Sequence, residues 1–435
     1  MRYQSTRSAE QTDLIHAITR GLAADGGLFV PTKWPRFRPD AIVGTTLAEI
    51  GSELLRPFFA GSPLEEALTE ICDETFDFPL PLVSLIEGDS ELAVLELFHG
   101  PTAAFKDFGA RFLAATLQRA LTLDSDTRPV TILVATSGDT GGAVAAAFEN
   151  RVGMRVGILF PRGQVSARQQ HQLTCWGDNV RAYEVEGSFD QCQSLVKAAF
   201  ADSGLRSRHR LSAANSINIG RLLPQVVYHS AASQWQWRKV GQPVGMIIPT
   251  GNLGNGIACI WARAIGMPIG EVVFAVNANR SIPDYLASGQ WRPRASVATL
   301  ASAMDVGNPS NMERLRHLLP DFTALGDAVE AYSVSDEEIR LQIRKDHARL
   351  GRTWCPHTAT GFSVYDRLPD ARKAGRSWIV EATAHPAKFD AIVEPLIGEA
   401  VPVPPALAAL LARPARSVPL RAELASLVRE IDAWH

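Results

Sequence analysis

From about residue 86 to residue 280 the chain repeats one pattern, a short apolar run rich in β-branched residues followed directly by a helical stretch. VTILVAT (130 to 136) leads into SGDTGG and the helix GAVAAAFEN, MRVGILF (154 to 160) into PRGQVSARQQHQL, NVRAYEVEG (179 to 187) into FDQCQSLVKAAF, and VGMIIPT (244 to 250) into GNLGNGIACIWARAIG. None of these runs alternates apolar with polar residues, so each strand is covered on both faces, and a helix between successive strands is the crossover of a parallel sheet. The predicted fold class is α/β, with open, mostly parallel sheets and helices on both faces. Ligands of such folds bind beyond the carboxyl ends of the strands. The strand-to-helix turns are therefore where the chemistry is to be sought.

The first of these turns carries Lys106. LAVLELF (92 to 98) stops at His99-Gly100-Pro101-Thr102, and a helical pattern starting near Asp107 places apolar residues at Phe108, Phe112, Leu113 and Leu117. A helix N-terminus disfavours an ammonium and pushes a lysine toward its neutral, nucleophilic form. Of the seven lysines, Lys33, Lys197, Lys239, Lys345 and Lys373 lie in surface contexts, while Lys106 and Lys388 sit among small, apolar and Gly/Pro-punctuated neighbours. The plain alternative for Lys106 is a stem packed on the helix start with its head in water.

Four further turns carry polar groups. Gly251, Asn252, Leu253, Gly254 and Asn255 form a tight, lysine-free loop whose amides at a helix start suit one terminal phosphate, unless the loop is only a structural turn. It matches neither the Walker nor the dinucleotide pattern. Thr136, Ser137, Gly138, Asp139 and Thr140 suit a carboxylate, with Asp139 alternatively a helix cap. Ser216, Asn218 and Arg221 cluster in NSINIGR, where an arginine fork fits an acidic group. Thr383 ends a strand in ATAHPAKF; its hydroxyl either completes the core or faces a heterocycle nitrogen. A lysine that forms a Schiff base needs an aldehyde, and the cofactor with one aldehyde and one phosphate is pyridoxal 5'-phosphate.

Length and charge exclude other classes. A chain of 435 residues with 46% hydrophobic residues is globular and long enough for two or three domains. A formal charge of −3 gives no basic footprint for nucleic acid, and no apolar run reaches membrane-spanning length. The N-terminus lacks the apolar core of a signal peptide, so the expected compartment is the cytoplasm. Five cysteines without a CxxC pair indicate reduced thiols, and the scattered histidines indicate no metal site. Residues 1–85 read as an N-terminal subdomain of helices and loops, with DLIHAITRGLA closed by Gly21 or Gly26 and a junction at Pro79 and Pro81. Residues 86–435 read as a catalytic region of two interleaved α/β domains. Within it, Ser335 caps a helix over 333 to 350, TWCPHTATG (353 to 361) is a loop, SWIVEATAHPAKF a strand, and PLRAELASLVREIDAW a final helix.

LELFHGPTAAFKDFG, TSGDTGG, NSINIGR, PTGNLGN, DVGNPSNMER, CPHTATG and TAHPAKF, in this order, resemble the threonine synthase family, pyridoxal phosphate enzymes of the tryptophan-synthase-β fold type. YQSTR and GLAADGGLFVP extend the resemblance to the N-terminus. The family implies conversion of O-phospho-L-homoserine and water to L-threonine and phosphate, by γ-elimination and then addition of water at Cβ, with the departing phosphate as base for the water. It implies that Lys106 carries the cofactor as a Schiff base and then shuttles protons, that residues 251 to 255 bind the cofactor phosphate and that Thr383 faces the pyridine nitrogen. Residues 136 to 140 would hold the substrate carboxylate, and Ser216, Asn218 and Arg221 its phosphate. Leu253 departs from the phenylalanine usual in this loop, and Arg162 stands where lysine is commoner. The neighbouring reading is a phospho-lyase releasing 2-oxobutanoate from the same substrate. Either enzyme would be a monomer or homodimer acting on a small molecule, with no nucleic-acid or membrane partner.

Overall fold

The computed structural model describes residues 1–88 and 90–434. Near the N-terminus β1 (Tyr3–Ser5), β2 (Gln11–Thr12) and β3 (Phe29–Pro31) pair antiparallel in the order β2-β1-β3. The sequence reading missed this sheet, because strands of two or three residues are too short to show a period. β4 (Leu82–Ile86) and β5 (Ser90–Glu96) then start the largest sheet as antiparallel neighbours. The chain leaves to build another sheet from β6 (Val130–Ala135), β7 (Met154–Pro161), β8 (Val180–Glu186) and β9 (Arg210–Ala213). It returns with β10 (Val244–Pro249), β11 (Ile269–Val276), β12 (Glu330–Ser333) and β13 (Arg376–Ala382), and finally adds β14 (Val418–Arg421) to the second sheet.

The six-stranded sheet runs β12-β11-β10-β13-β5-β4 and the five-stranded sheet β14-β8-β7-β6-β9. Within these two sheets every pair except β4 with β5 is parallel, the open α/β arrangement expected from the strand-helix repeat. All of β10 is buried, which is why its residues show no alternation. The helix Lys106–Thr122 packs against the helices Asp139–Phe148 and Ile219–Val240. Phe108 meets Phe78 and Tyr228, and Phe112 meets Phe59 edge-on. Each such buried aromatic contributes roughly 1.5–3 kcal/mol, enough to hold the first turn of this helix in place.

Local signals held where they were geometric. Gly21 ends the helix Leu14–Arg20 in the left-handed region, and Ser335 forms a capping box with Glu338. Three assignments change. Pro356 opens a helix, Pro356–Arg367, because proline fits a first helical turn, so only the start of the expected 353–361 loop is irregular. The strand expected to reach residue 389 stops at Ala382, and Pro386–Phe389 is a 3-10 turn. The last segment is a strand followed by a shorter helix, Leu424–Asp432, because its first residues extend the sheet beside β8. No helix among the described residues is long and apolar enough to cross a membrane.

Candidate active site

β5 and β13 are parallel neighbours, and the segments beyond their carboxyl ends stay joined. The Leu97 amide donates to the Ala382 carbonyl, Phe105 to Thr383, and His385 to Ala103. The buried Asp107 carboxylate receives the Thr102 amide at 2.8 Å and the Thr102 hydroxyl at 2.7 Å, folding the turn back onto the helix start. Lys106, first residue of that helix, has no hydrogen-bond or ion-pair partner for Nζ among the described residues. Lys106 is half-buried, and desolvation lowers its pKa to about 8; Asp139 opposes the shift, while Lys388 and Arg221 assist it. Burial, more than the helix terminus invoked from sequence, makes this amine nucleophilic.

The free Lys106 amine is therefore expected to react with limiting acetic anhydride with a midpoint at about pH 8 rather than 10.5, read by peptide mass spectrometry. A midpoint at the ordinary lysine value removes the argument. Between those two pH values the unfolded chain binds more protons at this position. The cost of the buried charge is present below about pH 8, and the ligand-free protein gains stability as pH rises from there toward 10.5.

Beyond β6, the Thr136 hydroxyl accepts from the amides of Gly138 and Gly141 and donates to the Gly138 carbonyl, so it is spent within its own loop. Gly138 has φ 147°, and a Cβ there would lie 2.6 Å from the Gln169 amide nitrogen. Among the described residues, the Ser137 and Thr140 hydroxyls and the amides of Ser137, Asp139 and Thr140 have no protein partner. They form an open helix N-terminus suited to an anion. The Asp139 carboxylate is occupied by Lys388 at 2.9 Å and Gln169 at 3.2 Å. Burial works against its charge, but Lys388, Lys106 and His357 outweigh burial and hold it well below the usual carboxylate range. Asp139 thus offers a ligand its amide, not its side chain.

Beyond β10, the amides of residues 251 to 255 find no acceptor among the described residues. Leu253, buried, takes φ 62° at the start of the helix Gly254–Ala264, a strained position for a branched side chain. A Cβ on Gly251 would lie 2.6 Å from the Met304 main chain. Asn252 donates to Ser216 Oγ at 2.7 Å and accepts from the Ser310 amide at 2.6 Å. The Asn255 side chain turns inward, donating to Glu381 Oε2 at 2.6 Å and accepting from the Tyr228 hydroxyl, while its carbonyl accepts from His229 Nε2 at 3.1 Å. Glu381 Oε1 also lies 2.8 Å from His229 Nδ1, out of line for a hydrogen bond. A row of acceptor-free amides at a helix start is what a phosphate monoester requires. Thr383, between this loop and Lys106, has no partner for its hydroxyl among the described residues. These groups fit pyridoxal 5'-phosphate.

Ser216, Asn218 and Arg221 do not converge on one open point. Ser216 Oγ accepts from Asn252 and Asn311. The Asn218 amide caps the helix Ile219–Val240 through the Gly220 amide and donates to the carbonyls of Ile18 and Ala213. Arg221 is buried, donating to the Ala214 carbonyl and at 3.4 Å to the Lys106 carbonyl, with Nε unpartnered against Gly109. Spacing placed these residues together without saying which way each points. Sequence reasoning also passed over Arg314, whose buried guanidinium binds the carbonyls of Phe29, Ser216 and Ile217 and the Asn311 side chain. Nothing in a helix reading MERLRHL marks that arginine as internal. For Lys388 the signal was present in its apolar setting. No group of three or more His, Cys, Asp or Glu that could hold a metal occurs among the described residues.

Comparison with known proteins agrees with the geometry. Residues 76–380 match the family described as pyridoxal-phosphate dependent enzyme, residues 2–76 the threonine synthase N terminus, and residues 358–431 the threonine synthase C-terminal family. Threonine synthase of Serratia marcescens is 38% identical over 98% of this chain and 94% of its own. The crystal structure of Escherichia coli threonine synthase superposes with a TM-score of 0.91 at 36% identity, covering 100% of both chains. A pyridoxal-phosphate-bound threonine synthase from Brucella melitensis gives 0.91 at 32% identity, covering 100% of this chain and 99% of that one. By sequence along its whole length and by fold, the chain belongs to the threonine synthase family of pyridoxal-phosphate-dependent enzymes.

Proposed function

We propose that the chain converts O-phospho-L-homoserine and water to L-threonine and phosphate with pyridoxal 5'-phosphate as cofactor. The observation that carries this reading is a lysine of lowered pKa, without a hydrogen-bond or ion-pair partner for Nζ among the described residues, beyond the end of β5, in the same sheet as β10, whose end carries the acceptor-free amides of residues 251 to 255. When bound, the cofactor supplies an aldehyde for amines and an electron sink for the pair left at the substrate Cα. Lys106 anchors it covalently, then takes the Cα proton and delivers protons along the substrate as phosphate leaves Cγ and the oxygen of water bonds to Cβ. Gly251, Asn252, Leu253, Gly254 and Asn255 hold the cofactor phosphate through their amides. Thr383 faces the ring nitrogen, and a hydroxyl there, in place of a carboxylate, leaves that nitrogen largely neutral.

Ser137, Asp139 and Thr140 hold the substrate carboxylate, with Thr136 and Gly138 shaping their loop. Ser216 is assigned to the substrate phosphate; Asn218 and Arg221 support it and the Lys106 turn from behind. Residues 1–85 serve as a supporting subdomain with a junction at Pro79 and Pro81, and residues 86–435 as the catalytic region. The formal charge of −3 gives no basic footprint for nucleic acid; the enzyme is read as a cytoplasmic monomer or homodimer acting on a small molecule, without nucleic-acid or membrane partners. Incubation with O-phospho-L-homoserine is expected to yield threonine and phosphate in equal amounts. Release of 2-oxobutanoate in place of threonine means elimination without hydration and overturns the reading.

A further inference from the structure

Lys388 is taken out of water further than the half-buried Lys106, being 1% exposed in the turn Pro386–Phe389. Its Nζ lies 2.9 Å from Asp139 Oδ1 and donates to the Thr102 carbonyl at 2.6 Å. Gln169 donates to the same carboxylate oxygen, and Gln172 at 3.2 Å to the same carbonyl. The ammonium therefore ties together three segments: the turn before Lys106, the loop of residues 136 to 140 beyond β6, and the turn after β13. The first and last belong to the six-stranded sheet and the middle one to the five-stranded sheet. A buried ion pair is poor economy as a stabiliser, since apolar residues of the same volume often do as well. What apolar residues cannot supply is a fixed charge beside a reactive amine and a donor that bridges two loops.

We propose that Lys388 is a positioning residue of the reaction: with Asp139 it clasps the loop of residues 136 to 140 onto the turn that carries Lys106, joining the two sheets, and sets the charge that the Lys106 amine experiences. The charged groups acting on that amine are Asp139, Lys388 and Arg221, and His357, itself kept neutral by burial, faces the same charges. Asp139 favours the ammonium form of Lys106, and Lys388 and Arg221 disfavour it. The two members of the clasp thus act on Lys106 in opposite directions. The inference rests on the reading of Lys106 as the anchoring amine.

The test follows the acetylation midpoint of Lys106 in ligand-free wild type, Lys388→Met, Asp139→Asn and the double variant, with near-ultraviolet circular dichroism as the folding control. Lys388→Met leaves Asp139 unopposed and is expected to raise the midpoint, slowing Lys106 at pH 8 on the order of tenfold per pKa unit. Asp139→Asn leaves Lys388 unopposed and is expected to lower it, while the double variant falls between them. A merely structural role moves both single variants the same way or not at all, and that result overturns the proposal. Where a single variant fails to fold, the double variant, with no buried charge left unpaired, is compared with Lys388→Arg in the cofactor-loaded enzyme. KM for O-phospho-L-homoserine is expected to rise on the order of tenfold in the first and stay near wild type in the second. An unchanged KM in both overturns the clasp. Borohydride fixation of the cofactor separates the two readings: attachment to Lys388 in the wild type refutes the anchoring role of Lys106 itself.

Discussion

Lys106→Ala is expected to lower threonine formation by at least about 10⁴-fold, because one amine serves as covalent anchor and as proton carrier. The variant should fold, since among the described residues Nζ has no hydrogen-bond or ion-pair partner to lose, only the Phe105 ring at 5.7 Å, and alanine is a good helix former at a first turn. It should still retain cofactor weakly through the amides of residues 251 to 255, with its visible absorption changed and with borohydride no longer fixing the cofactor to the chain. Activity within tenfold of wild type, or continued fixation, would exclude Lys106 from both roles. The neighbours define the reference point. Asp107 and Thr102 fix the turn by hydrogen bonds that do not involve the amine, so the loss reports chemistry and not a collapsed turn.

Arg314→Leu is expected to give the largest loss of stability of any single change outside the apolar core. The side chain is fully buried, and its five hydrogen bonds reach the Phe29, Ser216 and Ile217 carbonyls and Asn311 at 2.7 to 3.1 Å. Those acceptors come from the N-terminal sheet, the segment after β9 and Asn311, the residue just before the helix Met312–Leu318 that carries Arg314 itself. Leucine fills much of the volume but removes the guanidinium donor from three carbonyls, that of Ser216 keeping the Asn311 side-chain amide at 3.4 Å, and each donor lost costs about 1–3 kcal/mol. Because the three lie together, a combined loss of roughly 3–5 kcal/mol is expected, seen as a lower urea midpoint. Arg314→Lys should recover only part of it, since one ammonium cannot span the fork. A midpoint unchanged by either substitution would show that the three segments are held by other contacts.

How far the sequence could be read follows from what kind of fact each feature is. Strands buried on both faces announce themselves as apolar runs, so β6, β7 and β10 were legible to within a residue or two, as was β8, whose charged residues are only partly covered, from the helix that follows it. A lysine at a strand-to-helix turn is a local fact, as is a glycine that ends a helix. Direction is not local. Asn218 and Asn255 both stand in polar turns, yet their side chains face inward, one onto a helix start and one onto Glu381. Thr102 and Lys388 meet across 286 positions of chain, a contact no spacing rule can find. The N-terminal sheet was lost for the opposite reason, its pieces being shorter than any period.

The interleaving of the two sheets bears on how the protein is made. β5 emerges from the ribosome early, but its neighbour on one side is β13, so that edge stays open until residues 376 to 382 have been synthesised. The outer edge of β8 likewise waits for β14. Open edges of β-branched strands are templates for wrong pairing, and contacts of this separation form slowly. Shortened or stalled chains should therefore be aggregation-prone even when most of the sequence is present. Phe105 reaches the Thr383 carbonyl only after β13 has docked. Lys106 is among the first residues of the candidate site to leave the ribosome, and its turn is set in place only when synthesis is nearly complete.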